Sequence, residues 1–251
     1  MSADISVDEL ISTLNHSNAP TLILEGKDDY VAFEEFERNN VEWGFTVIAV
    51  KGRRNVINLL DRRDEIENPC IYYLMDQDEW CFTGIPNLYI DRRIGYTSGA
   101  SIENELIIDG NPMAIMKPNE VARFWSAIQE FEEIFLRLCY NHINCIADHS
   151  YGSSLRLFFD ENLAKLPEWT LFCDRCPNAV ARPAALNVME YLRGKTLLEL
   201  VVMILSNKNR ASKYSKANIM ELGARARGAK LLALEAEIYD FFRNSGCISD
   251  L

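Results

Sequence analysis

Three short apolar runs, Thr21–Leu24, Phe45–Val50 and Cys70–Met75, alternate with two amphipathic stretches, Asp28–Arg38 and Asn55–Arg63. Apolar runs this short, bounded by Gly and by charge, read as buried strands, and helical stretches between them call for parallel pairing. The chain is therefore expected to form an α/β, Rossmann-like parallel sheet flanked by helices. Residues 5–16 add an amphipathic helix with Ile5, Leu10, Ile11 and Leu14 turned inward. In Asp28–Arg38, acids fill the first turn and Val31, Phe33 and Phe36 supply apolar anchors. Leu88-Tyr89-Ile90 is a candidate fourth strand, and Ser101–Ile108 follows a glycine-containing turn.

After Pro118 the pattern changes. Residues 119–141, 154–166 and 185–206 are long, apolar and helix-like, with Phe124, Trp125, Phe131 and Phe135 as aromatic anchors, and only Trp169–Cys173 suggests a further short strand. This divides the chain into an α/β part, 1–115, and a mainly helical part, 116–251. No run of 18 apolar residues is present, so no membrane-spanning helix is expected. The start, Met-Ser-Ala-Asp-Ile-Ser, is polar and unlike a signal peptide. Seven scattered cysteines, an odd number, fit reduced thiols and a cytoplasmic location better than a disulfide framework.

A net charge of −11 argues against a general nucleic-acid coat. The charge is uneven, however: Lys208 to Lys230 holds seven basic residues (among them Lys208, Arg210, Lys213 and Lys216) against one acid, Glu221. That stretch is either a solvated helix surface or a cationic face for a phosphate backbone.

The chemistry-bearing residues stand at strand tips. Glu25-Gly26 closes the first run, with Asp29 one helical turn on, and Asp76-Gln77-Asp78 closes the third. In an open α/β sheet, strand C-termini share one crevice. Carboxylates gathered there repel one another unless a cation neutralises them. Asp76 and Asp78, spaced i and i+2, point the same way in extended backbone, and Ser101 and Glu103 repeat that spacing. Oxygen ligands of this kind suit Mg²⁺ or Mn²⁺. Each motif also has a plain structural reading: helix-dipole acids at Glu25–Asp29, a polar turn at Asp76–Asp78, a helix cap at Ser101–Glu103.

Other motifs carry less. Cys173-Asp-Arg-Cys176 is half of a zinc pattern without a second CxxC, His142 and His149 being the only further ligands in view; ordinary thiols are favoured. No His, including His16, has a nucleophile partner in view. Gly194-Lys195-Thr196 is no P-loop, because the position five before Gly194 is Met189.

Taken in order, Leu24-Glu25-Gly-Lys-Asp-Asp29, Val50-Lys-Gly-Arg-Arg-Asn55-Val, Met75-Asp76-Gln-Asp78 and Ser101-Ile-Glu103-Asn104 resemble the TOPRIM domain of the OLD-family nucleases. They are most similar to the small stand-alone AriB group, the effectors of PARIS-type anti-phage systems. The resemblance covers residues 20–108, and Tyr191-Leu-Arg-Gly194-Lys195 resembles the family's late Gly-Lys segment. It implies that Glu25, Asp76, Asp78 and Lys195 are catalytic, and that Glu25, Asp29, Asp76, Asp78, Ser101 and Glu103 hold Mg²⁺ or Mn²⁺. Asp29 departs from the more usual glutamate. A two-metal scheme would set Asp76, Asp78, Ser101 and Glu103 on one ion and Glu25, Asp29 and Asp76 on the other. In a one-metal scheme Glu25 would be the general base, and in either Lys195 would stabilise developing negative charge.

The resemblance further implies a toxic, abortive-infection endoribonuclease that cleaves tRNA, is held by a separate ABC-type (AriA-like) ATPase partner, and forms a homodimer once released. Lys208, Arg210, Lys213 and Lys216 are the candidates for nucleic-acid contact. The competing readings are a DNA-nicking OLD-type endonuclease and a non-catalytic, metal-holding sensor or scaffold.

Overall fold

The computed structural model describes residues 6–146 and 152–248. In chain order the elements are α1 (Val7–Asn15), β1 (Thr21–Leu24), α2 (Lys27–Asn39), β2 (Thr46–Ala49), α3 (Arg53–Asp61), β3 (Ile71–Met75), α4 (Trp80–Thr83), β4 (Ile94–Tyr96), α5 (Ile102–Gly110), α6 (Pro118–Ile143), α7 (Pro167–Arg175), α8 (Val188–Tyr191), α9 (Gly194–Leu205), α10 (Lys216–Ala226) and α11 (Ala229–Asn244). They form two compact units. A sheet unit takes the chain up to Asp76, Pro86–Thr97 and the stretch from Ala229 on; a helical unit takes Gln77–Ile85 and Ser98–Gly228. The division at residue 115 read from the sequence follows chain order, whereas these units interleave. The fold class is the expected one: α/β, with a parallel sheet flanked by helices and a helical C-terminal half.

In the sheet unit four parallel strands run in the order β2-β1-β3-β4. Leu24 stands opposite Ala49 on one side and Leu74 on the other, and Met75 stands opposite Tyr96. Every residue of β1 and β3 is buried, as befits strands covered on both faces. On one face Phe36, Phe45, Tyr72, Phe241 and Phe242 form an aromatic cluster, with Tyr72 4.9 Å from Phe241 and Phe45 5.7 Å from Phe242 between ring centroids. The Tyr72 hydroxyl donates to Glu237 of α11, and burial together with that carboxylate holds its pKa far above the ordinary tyrosine value. Helix α11 is thus a full member of the sheet unit. Leu10, Ile11 and Leu14 of α1 are buried as expected, while Ile5 lies outside the described residues. In α2 the buried anchors are Ala32, Phe33 and Phe36 rather than Val31.

A disulfide joins Cys70, just before β3, to Cys247, just after α11. This corrects the expectation of reduced thiols throughout. The pair is 177 residues apart, so only the return of α11 to the sheet brings the two sulfurs together. Cys81, Cys139, Cys145, Cys173 and Cys176 are not disulfide-bonded.

Four local expectations also change. The fourth strand is Ile94–Tyr96, not Leu88–Ile90, where Asn87–Tyr89 makes a single 3₁₀ turn and Leu88 and Ile90 face solvent. Gly95 sits where a Cβ would crowd the Tyr72 ring, and that glycine weakened the strand signal. Residues 154–166 are not a helix: Asp160 accepts from the backbone of Asn162 and Ala164, turning the chain so that Phe159 and Lys165 pair as an antiparallel bridge. Trp169–Cys173 lies inside α7, which starts at Pro167. The stretch 185–206 breaks into α8 and α9, with Leu192 and Arg193 extended between them.

The helical unit is built around α6, whose Phe124, Phe131 and Phe135 are buried, while Trp125 is 37% exposed and is not a core anchor. Helix α5 is buried from Ile102 to Ile107, Glu103, Asn104 and Glu105 included. It crosses α10 at Gly110 and Gly223, where a Cβ on Gly223 would stand 2.6 Å from the Leu106 carbonyl carbon, so backbone meets backbone there. Among the described residues no helix is long and apolar enough to cross a membrane.

Candidate functional site

In the sheet unit the tips of three adjacent strands meet at Glu25. Its backbone carbonyl accepts from Gly52 N (2.6 Å), and Val50 N donates to Leu24 O (3.0 Å), so the Val50–Gly52 loop is laid along the end of β1. Lys51 and Gly52 have φ of +61° and +114°, a left-handed turn that explains the glycine. Asn55 fixes the same loop by donating to Val50 O (2.6 Å). On the other side the Glu25 carboxylate accepts from the backbone N–H of Asp76 (3.0 Å). Glu25 is therefore held at both neighbouring strand tips, as the parallel register allows: it lies one residue past Leu24, and Asp76 one past Met75. Asp29 turns back to accept from Gly26 N (2.7 Å), closing the first turn of α2. That is the helix-terminus role in the structural reading of this acid.

In the helical unit, Asp78 has φ of +45°, an uncommon backbone for a non-glycine residue, and its N–H donates to Ala100 O (2.8 Å). Ser101 is the N-cap residue of α5, but its hydroxyl makes no capping bond; it lies 2.6 Å from Glu103 Oε2 and 2.9 Å from Asn104 Oδ1. Glu103 is 2% exposed. Gly194 packs directly on this turn: a Cβ there would lie 2.7 Å from Asn104 Oδ1 and 2.9 Å from Glu103 Cβ. Lys195 follows, with an exposed side chain at the start of α9. The structure thus brings the Gly194-Lys195 segment against Ser101-Ile-Glu103-Asn104, about ninety residues away in sequence.

The basic stretch divides. Arg210 is bonded to Glu120 and to Ile115 O (3.1 Å), and its side chain is 12% exposed. Lys213 donates to Ser206 O and Asn207 O, covering carbonyls at the end of α9. Lys208 and Lys216 are exposed. Lys208 and Lys213 also line an open groove of about 380 Å³ with Arg156, Asn162, Ser206 and Asn207.

Among the described residues the cysteines and histidines form no second metal-ligating group. Cys176 is buried and its sulfur accepts from Asn141 Nδ2 at 3.1 Å, and burial pushes the Cys173 thiol above its ordinary pKa. His149 lies outside the described residues. Among the described residues no three His, Cys, Asp or Glu are grouped as a metal shell. The donor chemistry nonetheless suits a hard divalent cation: carboxylates and a hydroxyl, with Glu103 almost fully buried beside a neutral serine rather than a basic side chain.

One residue carries more structure than its sequence suggested. Asn104 is fully buried and donates to Met189 O (2.6 Å) and Leu192 O (2.8 Å). Its place beside Ser101 and Glu103 was visible, but its partners, 85 and 88 residues away, were not.

In comparisons with known proteins, no family model and no curated protein sequence matches the chain.

Proposed function

We propose that the chain is a metal-dependent TOPRIM endonuclease of the OLD-nuclease kind, acting in the cytoplasm on tRNA as a toxic anti-phage effector restrained by an ABC-type ATPase partner and dimerising on release. What supports the reading is the seating of Gly194-Lys195 on Ser101-Ile-Glu103-Asn104, two segments that only the ordered family pattern had linked. The metal-holding residues in this proposal are those the resemblance implies: Glu25, Asp29, Asp76, Asp78, Ser101 and Glu103. Bound Mg²⁺ or Mn²⁺ would supply charge neutralisation at the phosphate. In the one-metal version Glu25 would instead be the general base that takes a proton from the attacking water, its carboxylate oriented by the Asp76 amide. Lys195, exposed at the start of α9, offers a positive charge to phosphate oxygens.

The test is cleavage by the purified chain of total tRNA and of supercoiled plasmid, with Mg²⁺, Mn²⁺ or EDTA. The expected result is tRNA fragments with either metal and none with EDTA. Plasmid nicking alone would transfer the assignment to a DNA endonuclease, and no cleavage of either substrate would leave the non-catalytic module.

Lys208 and Lys216 are the exposed cations of the basic stretch that remain for backbone contact. Joint replacement, Lys208→Glu with Lys216→Glu, should weaken substrate binding and flatten its log–log salt dependence by about two. An unchanged salt slope would remove this stretch from the interface.

A further inference from the structure

We infer that Asn104 is the positioning residue for Lys195, clamping the chain break from which Lys195 is presented; this rests on the nuclease reading above. The short helix α8 ends in carbonyls that no further turn satisfies, because Leu192 (ψ 144°) and Arg193 (ψ 119°) leave helical geometry. The Gly99–Asn104 segment supplies the missing donors. Ala100 N donates to Glu190 O (2.6 Å), and the two Asn104 amide hydrogens go to Met189 O (2.6 Å) and Leu192 O (2.8 Å).

Both hydrogens of the Asn104 amide are thereby committed, which fixes Oδ1 on the side of the Ser101 hydroxyl. Two glycines let the backbones close. A Cβ at Gly99 would stand 2.6 Å from Glu190 O, and one at Gly194 would strike the Ser101–Asn104 turn. One side chain therefore ties Ser101 and the start of α9 to the same point. Lys195, one residue past Gly194, inherits its position from that tie. An aspartate at 104 keeps the size and the acceptor but turns a carboxylate on two carbonyls.

The experiment uses the full chain, comparing wild type, Asn104→Asp, Lys195→Ala and the double variant. Amide hydrogen exchange over 188–196 should quicken by about tenfold or more in Asn104→Asp, with α6 unchanged. The rate of tRNA cleavage at saturation should fall about a hundredfold with KM little altered, the scale of a misplaced catalytic group. In the Lys195→Ala background the same substitution should cost less than about threefold, because its effect runs through the lysine. Additive losses, or unchanged exchange over 188–196, would overturn the inference. If the wild type cleaves nothing, the nuclease reading fails on its own, and the exchange result alone decides the clamp. If Asn104→Asp does not fold, Gly194→Ala strains the same junction from the other side and is judged on the same outcomes.

Discussion

Replacement of Glu25 by glutamine is expected to remove metal-dependent cleavage, by on the order of a thousandfold, while the chain stays folded. The substitution is nearly isosteric. Its side-chain oxygen can still accept from the Asp76 N–H, and the backbone bond from Gly52 N to Glu25 O is untouched. What is lost is one negative charge and one proton acceptor. A hydrogen bond to a neutral acceptor is weaker than one to a carboxylate by roughly 1 kcal/mol, so thermal stability should move by only a few degrees. Rate and stability therefore separate. Thermal denaturation together with single-turnover cleavage of tRNA measures both. A Glu25→Gln chain that cleaves within about threefold of wild type would refute the assignment of Glu25, since general-base or ligand loss costs far more.

The second large effect concerns stability. Cys70 and Cys247 close a loop across a sequence separation of 177 residues. Cross-linking so long a loop restricts the unfolded chain and by loop entropy alone is worth at most about 5 kcal/mol, with 2–4 kcal/mol typical. Reduction, or Cys70→Ser, should lower the denaturation midpoint by about 4–16 °C for a chain of this size. The folded state should change little, because Phe241 and Phe242 still pack on Tyr72 and Phe45 and Glu237 still accepts from Tyr72. Thermal melts of wild type with and without dithiothreitol, beside Cys70→Ser, make the comparison. Identical curves for all three would show that the bond contributes nothing to stability. Under reducing conditions the lower of the two stabilities is the operative one.

The parts of the fold legible in the sequence were those whose signal is local. β1 and β3 read as unbroken apolar runs because both their faces are covered. Helix α6 carried its period through buried Phe124, Phe131 and Phe135. What escaped had its cause far along the chain. The break at Leu192–Arg193 has a carbonyl satisfied by Asn104, and the bond at Cys70 is made by Cys247. Arg210 looked like a free cation until Glu120, ninety residues away, was found against it. β4 is only three residues with a central glycine, too short for alternation to register. Of the candidate site, the order of acids was visible, as was the terminus role open to Asp29; the locking of Glu25 from both neighbouring strands was not, because it depends on strand order.

The return of α11 to the sheet has a consequence for biogenesis. Synthesis is vectorial, and domains generally fold as they emerge. Here β2 and β3 wait for α11: Phe45 and Tyr72 lack their cover until Phe241 and Phe242 have left the ribosome. The nascent chain therefore displays an uncovered aromatic face throughout translation of the intervening helical unit. The pocketing of that face is a late, single event, and a ribosome that stalls before residue 241 releases a sheet that chaperones and proteases can recognise as unfinished.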